Sequence, residues 1–348
     1  MVYLQELNIP MDYITKINQL LQPKCSLDLQ ILDLFAGCGG LSLGFEAVGF
    51  QTMGYELESA AVATYNKNLV GHCVNQKISL NTEYHQQVDI VIGGPPCQPF
   101  SVGGQQKGMD DDRNGFPAFI KSIKQLQPKL WLFENVRGML YANKWYLEQI
   151  INELTDQDYI ISYQLLNAVN FGVPQNRERL FVVGHHGNFG FPKPENHNVT
   201  VAQAIADLIE IIEDDSKILT TSMDHYIAKY EKASQCINPR DLQLHKPART
   251  LTCRNIAAAT GDMQRVKLQD GRRRRISVRE AARLQSFPDW FEFMGTETQQ
   301  FYQIGNAVPP LLAYHLADSI KNYLLNPTAL QRSENIHIKT PTTQMSLL

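Results

Sequence analysis

The chain has 348 residues, 43% of them apolar, which is enough to bury one large domain and a smaller one. No apolar run approaches the roughly 18 to 20 residues of a membrane span, and the first residues lack the basic-then-apolar layout of a secretory signal, so a cytoplasmic protein with no membrane partner is expected. The net charge of −3 argues against a polyanion partner, but residues 236–283 hold twelve Lys and Arg against four Asp and Glu, a net of +8 that leaves −11 for the rest. A basic segment inside an acidic protein is the footprint of a polyanion site, with a merely solvated face as the alternative. Six cysteines stand at 25, 38, 73, 97, 236 and 253 without a Cys-x-x-Cys pair, so neither a metal site nor a disulfide framework is expected and the thiols are read as reduced.

In chain order, residues 1–29 read as an amphipathic leader, helical over 11–21 and ended by Pro23. Strand and helix patterns then alternate: strand 31–35, helix 41–48, strand 51–55, helix 60–68, strand 88–92, helix 119–126, strand 130–134, helix 145–154, and strands 160–167 and 179–184. Repeats of this kind predict an open α/β sheet that binds its ligands beyond the carboxyl ends of the strands. Gly187-Asn188-Phe189-Gly190-Phe191-Pro192-Lys193-Pro194 reads as a linker, and the region after it is irregular, with an acidic helix expected over 201–214. A helix at 278–285 follows the basic segment, and an amphipathic helix at 311–324 is expected to return to the first domain. The division is therefore a catalytic unit at 1–186, a smaller irregular unit at 187–270, a connecting segment and returning helix at 271–325, and a flexible tail at 326–348.

Chemistry-bearing residues cluster where strands end. Cys97 lies in Gly93-Gly94-Pro95-Pro96-Cys97-Gln98-Pro99-Phe100-Ser101, where the prolines stiffen the loop that carries the thiol after the β-branched run 88–92. Strand 31–35 runs into Ala36-Gly37-Cys38-Gly39-Gly40 and a helix, so a cofactor can approach the backbone and face helix N–H groups. A dinucleotide fingerprint would need glycine at 42, where Ser42 stands. Glu56 ends the next strand, where an acid commonly accepts hydrogen bonds from ribose, so the pair reads as a site for an adenosine-containing cofactor or as a purely structural turn. Glu134 ends strand 130–134 beside Trp131 and Phe133, surroundings that raise a carboxyl's pKa and suit a proton donor. Arg177 and Arg179 share a face by period-2 spacing and offer forks for a carbonyl, carboxylate or phosphate. Gln303-Ile304-Gly305-Asn306-Ala307-Val308-Pro309-Pro310 precedes the returning helix and is placed to close the cofactor pocket.

With these residues in view, the chain resembles the DNA (cytosine-5) methyltransferases of bacterial modification type. Asp33 to Gly40 resembles the family's first motif, Gly94 to Ser101 its catalytic loop, Glu134-Asn135-Val136 its glutamate motif, and Gln175 to Arg179 its arginine motif. Arg274 to Phe287 resembles the arm before the final motif, and Gln303 to Val308 that motif itself. Six matches stand in the family's order between 31 and 320. The resemblance implies a Rossmann-like, S-adenosylmethionine-dependent fold with a target recognition domain, acting on double-stranded DNA with the target cytosine flipped out of the stack.

By the same resemblance, the Cys97 thiolate adds to carbon 6 of cytosine while Glu134 donates to N3. Carbon 5 then takes the methyl group, and loss of its proton expels Cys97. Arg177 would favour the thiolate and Arg179 would hold the cytosine O2. Phe35 would stack on adenine, the backbone of Ala36, Gly37, Cys38, Gly39 and Gly40 would hold the methionine portion, and Glu56 would bind ribose. Leu57, Pro95, Asn306 and Ala307 complete the implied cofactor set, and S-adenosylhomocysteine is the product. Two positions depart from the family: Leu57 stands where an aromatic often does, and Asn75-Gln76-Lys77 lacks the acid that usually contacts the adenine amino group. Gln98, Ser101, Gly103 and Arg113 would meet DNA from the catalytic loop, whose segment 110–113 resembles a closing element hinged by Gly103, Gly104 and Gly108. Arg249, Arg254 and Asn255 are the candidate base readers, and Arg272, Arg273 and Arg274 the candidate phosphate contacts. No metal is implied, and a monomer accompanied by a restriction endonuclease acting on the same site is expected. A transfer RNA cytosine methyltransferase and a catalytically idle DNA-binding regulator are the alternatives. The first is disfavoured by the absence of a Cys-Phe-Thr signature, the second by the presence of Cys97, Glu134, Arg177 and Arg179.

Overall fold

Apolar residues on both faces of one short run, Ile31, Leu32 and Leu34, make β1 (Gln30–Leu34) an interior strand of a seven-stranded sheet. The computed structural model describes residues 12–96, 114–155, 157–195, 198–212, 214–233, 235, 240–257 and 262–326. Parallel to β1 lie β2 (Gln51–Glu56) and then β3 (His72–Asn75) on one side, and β4 (Ile90–Gly93) and then β5 (Leu130–Val136) on the other. The chain then forms β6 (Ile160–Asn167), the short β7 (Gln175–Asn176) and β8 (Glu178–His185). The sheet order is β3-β2-β1-β4-β5-β8-β6, with β8 antiparallel to both its neighbours. This last pairing differs from the repeating parallel units expected, because the connection from β6 to β8 is a single 3-10 turn at Ala168–Phe171 and not a crossover helix.

Strand order reverses between β1 and β4, so the loops after these two strands open into one crevice. Alternate residues of the strands feed two cores. Ile31, Ile90, Ile92 and Leu132 pack with α1 (Asp12–Leu20), α2 (Gly40–Val48) and α3 (Ser59–Asn68). Leu32, Leu34, Val91 and Phe133 pack with α4 (Phe116–Leu126) and α5 (Lys144–Thr155).

Past β8 the apolar pattern thins and ions take over. The chain forms α6 (Val201–Ile205), α7 (Thr221–Ala233), β9 (Ala248–Arg249), α8 (Cys253–Ile256), and a hairpin of β10 (Arg265–Lys267) and β11 (Arg273–Arg275). Leu219, Ile227 and Met263 make a small separate core. Beside it the fully buried Arg265 donates from Nε to Asp241 at 2.6 Å and from Nη2 to Glu231 at 2.9 Å. Arg273 binds the other oxygen of Asp241 at 2.8 Å and Asp224 at 3.2 Å.

The helix expected over 201–214 stops at Ile205. Arg274 donates to the carbonyls of Leu208 and Ile209, and Arg283 to that of Ala204, so guanidinium groups help to satisfy the oxygens of this segment where the helix has ended. Then come α9 (Val278–Leu284), α10 (Glu297–Asn306) and α11 (Pro310–Leu325), which returns to the catalytic sheet and lies on α2. A Cβ on Gly44 would sit 2.4 Å from the Tyr314 nitrogen, so only glycine lets these two helices meet at that point. Among the described residues no helix is long and apolar enough to cross a membrane.

Candidate active site

The crevice at the strand reversal holds the glycine turn. Phe35, Gly37 and Gly39 take positive φ angles of 61°, 56° and 86°, and α2 begins at Gly40. No atom lies within 4 Å of a Cβ built on Gly37, so the backbone there faces open space at a helix N-terminus. Glu56 braces the turn: Oε2 accepts from the Gly37 N–H at 2.9 Å, while Oε1 accepts from Leu57 and Glu58, both at 2.8 Å. Leu57 is exposed. Asn75 ends β3 where the family's acid is missing, and its amide donates to the carbonyls of Glu56 at 3.1 Å and Leu57 at 2.7 Å. This region therefore presents an anion-receptive backbone, a carboxylate and flanking apolar side chains, a combination that suits an adenosine-bearing amino-acid cofactor.

Ala36 and Cys38 are buried; the Cys38 thiol donates to the Gln303 carbonyl, and burial pushes its pKa up to about 12. Asn306 is exposed and accepts from the Cys253 thiol at 3.1 Å. Ala307 and Val308 rest against Gly40, where an added Cβ would lie 3.1 Å from Ala307 Cβ and 2.5 Å from the Val308 oxygen.

Glu134 and Arg179 are diagonal neighbours across β5 and β8, on the strand ends nearest the crevice. Arg179 Nε lies 2.8 Å from Glu134 Oε1, with both side chains almost enclosed. Burial raises the Glu134 pKa, and the nearby guanidinium groups of Arg179 and Arg177 oppose that shift. The loop after β4 is fixed beside this pair: Asn135 donates from Nδ2 to the Pro95 carbonyl at 3.0 Å, and a Cβ on Gly94 would lie 3.6 Å from Glu134 Oε2. Cys97, Gln98, Ser101, Gly103 and Arg113, with the segment 110–113, lie outside the described residues.

Arg177 is fully buried. Its Nη1 donates to Leu251 O at 2.7 Å and its Nη2 to Gly305 O at 3.0 Å and Ala307 O at 2.9 Å. Two glutamines extend this hub. Gln175 receives the Leu251 N–H and donates to Gln285, whose own amide donates to Ile304 and Ala307 carbonyls. The buried hub thus joins the 251 region to the segment beside the cofactor turn. Gln285 was not singled out in the sequence, because a lone glutamine inside a helix-end pattern carries no signal of whom it will bond.

Two expected nucleic-acid contacts are corrected. Arg274 is 2% exposed and forms a two-oxygen ion pair with Glu280, so it cannot reach a phosphate. Asn255 is buried, with its side chain bonded to Thr252 N–H and Thr250 O, so it holds its own helix start instead of reading a base. Arg249 is paired with Asp262, Arg272 with Asp270, and Arg273 with Asp224 and Asp241, and each of these arginines keeps part of its side chain exposed. Arg254 is exposed on α8.

Comparison with known proteins places these features in context. The profile of the C-5 cytosine-specific DNA methylases matches residues 29–322. Type II methyltransferase M.AplI of Arthrospira platensis is 54% identical over 309 residues, covering 87% of this chain and 90% of the relative. Type II methyltransferase M1.HphI of Haemophilus parahaemolyticus is 35% identical over 324 residues, covering 84% and 87%. A Spodoptera frugiperda DNMT2 variant shares the fold with a TM-score of 0.66 at 19% identity, covering 84% of this chain and 100% of that one.

Proposed function

Because the chain belongs to the C-5 cytosine-specific DNA methylases and is a DNA cytosine-5 methyltransferase, we propose that Cys97 is its nucleophile, Glu134 its proton donor and Arg179 the group that fixes both acid and base. The observation that carries this reading is the enclosed Glu134–Arg179 pair beside a loop tied down at Pro95, two residues before Cys97. The cytosine ring occupies the space between the Cys97 loop and that pair. Glu134, held toward its neutral form by burial, gives a hydrogen bond and then a proton to N3, and this makes carbon 6 electrophilic enough for the thiolate. Bond formation between Cys97 and carbon 6 turns carbon 5 into an enamine nucleophile. Arg179 donates to the base carbonyl while keeping the carboxyl oriented. Arg177, bound through Nη1 and Nη2 to three carbonyls, positions the surrounding segments.

S-adenosylmethionine, when bound, supplies an electrophilic methyl group. The residues proposed to hold it are Phe35, the backbone of Ala36–Gly40, Glu56, Leu57, Pro95, Asn306 and Ala307. The substrate is double-stranded DNA, read by the region 187–270 across a cleft from the catalytic unit 1–186. Arg254 is the base-reading candidate that remains exposed. The Type II names of the relatives support a role beside a restriction endonuclease that cuts the same site, with the methyltransferase acting as a monomer. Bisulfite sequencing of DNA from cells expressing the protein should show protected cytosines at one short recurring sequence. DNA without new 5-methylcytosine would overturn the assignment.

A further inference from the structure

Arg265 and Arg274 of the basic segment are enclosed and bound to carboxylates, so the exposed cations beside the proposed base pocket matter more for DNA. A cavity of about 320 Å³ opens between the end of β5, the start of β8 and Thr250, with Arg179, Asn167 and Asn176 in its wall. Arg137 stands on its rim with a side chain 57% exposed. Its Nη1 donates to Glu178 Oε2 at 2.7 Å, and its guanidinium carbon lies 5.1 Å from the centroid of the Tyr141 ring. An exposed ion pair contributes little to stability, so folding alone is a weak reason for this arrangement. A guanidinium has five N–H donors, and Glu178 leaves most of them available.

We propose that Arg137 is a DNA-backbone anchor, held ready by Glu178 and Tyr141 to grip the phosphate beside the extruded cytosine at the mouth of this cavity. The inference rests on the catalytic reading given above, since that reading places the base next to Arg179. Arg137 follows Glu134 by three residues and opens the 3-10 turn Arg137–Leu140 directly after β5, so one rigid element would set both the acid and the phosphate. A planar fork matches a phosphate's oxygens, and a cation already held in place loses less freedom when it binds.

The test measures duplex affinity against salt for the full chain, using the site that sequencing identifies. Arg137→Ala should weaken binding about tenfold and reduce the magnitude of the log–log salt slope by about 1. Arg137→Lys should keep the slope and recover part of the affinity. Lys144→Ala removes an exposed cation that pairs with Glu148, and should change neither quantity. An Arg137→Ala protein with a wild-type melting temperature and an unchanged slope would overturn the anchor. Covalent trapping of the wild-type enzyme on 5-fluorocytosine DNA separates the two ideas: trapping with an unchanged slope removes only the anchor, and no trapping removes the catalytic reading beneath it.

Discussion

Cys97 follows Pro95 and Pro96, and Pro95 is held beside the proposed proton donor, since Asn135 donates to the Pro95 carbonyl and adjoins Glu134. That linkage makes the nucleophile and the proton donor separately testable. Cys97→Ser should abolish methyl transfer and adduct formation on 5-fluorocytosine DNA while leaving specific duplex binding within about twofold, because binding rests on other contacts. Methylation by this variant at the parental rate would remove the sulfur from the mechanism. Glu134, Arg179 and the glycine turn were legible as strand-end groups, because each sits where an apolar run meets a turn signal, while Cys97 lies outside the described residues. Arg177 was legible as an arginine on the right face. Its partners were not, since three backbone carbonyls from residues 251, 305 and 307 leave no trace in local spacing.

At the scale of elements, the basic run 272–275 shows what charge counting misses. Arg272-Arg273-Arg274-Arg275 reads as a phosphate-binding patch, yet β11 alternates its side chains. Arg274 points inward to Glu280, and Arg273 reaches Asp241 and Asp224. The matching carboxylates lie 2 to 49 residues away, and the two that bind Arg273 are too distant in sequence for a local window to reveal. Arg274→Ala leaves a buried Glu280 without its partner, and should lower stability by about 3–5 kcal/mol with no change in the salt slope of DNA binding. Denaturant titration beside the salt series checks both, and a stable variant with a shallower slope would return Arg274 to the DNA surface. The alternating elements from 31 to 184 were readable where their apolar periods match buried faces; the edge strand β3, with Cys73 its one buried residue, was missed. The 201–214 helix was misread because its amphipathic pattern is satisfied by arginine–carbonyl bonds after only five helical residues.

The whole molecule carries a pH signature from its centre. Asp33 on β1 is buried with only the Ser42 hydroxyl, at 2.6 Å, as its side-chain partner, and burial pushes its pKa up to about 7. An unfolded aspartate titrates near 3.9, so between about pH 4 and 7 the folded chain binds the extra proton and this group's contribution to stability falls as pH rises. Below that window the contribution is fully present; above it the loss is complete. Asp33→Asn removes the titration, so the variant should gain on the wild type between about pH 5 and about pH 8, as chemical denaturation at the two values would show. A stability difference that does not change with pH would mean that Asp33 is already ionised in the folded protein.

The meeting of α2 and α11 at Gly44 has an implication for synthesis. The helix that begins at the cofactor turn is covered by the final described helix, more than 260 residues later in the chain. A ribosome therefore delivers the turn, the thiol loop and the acid long before the lid that buries their support, and the nascent chain has to keep α2's apolar side shielded until α11 emerges. Contacts of such long range fold slowly, so methylating competence should arrive late and all at once as α11 clears the exit tunnel.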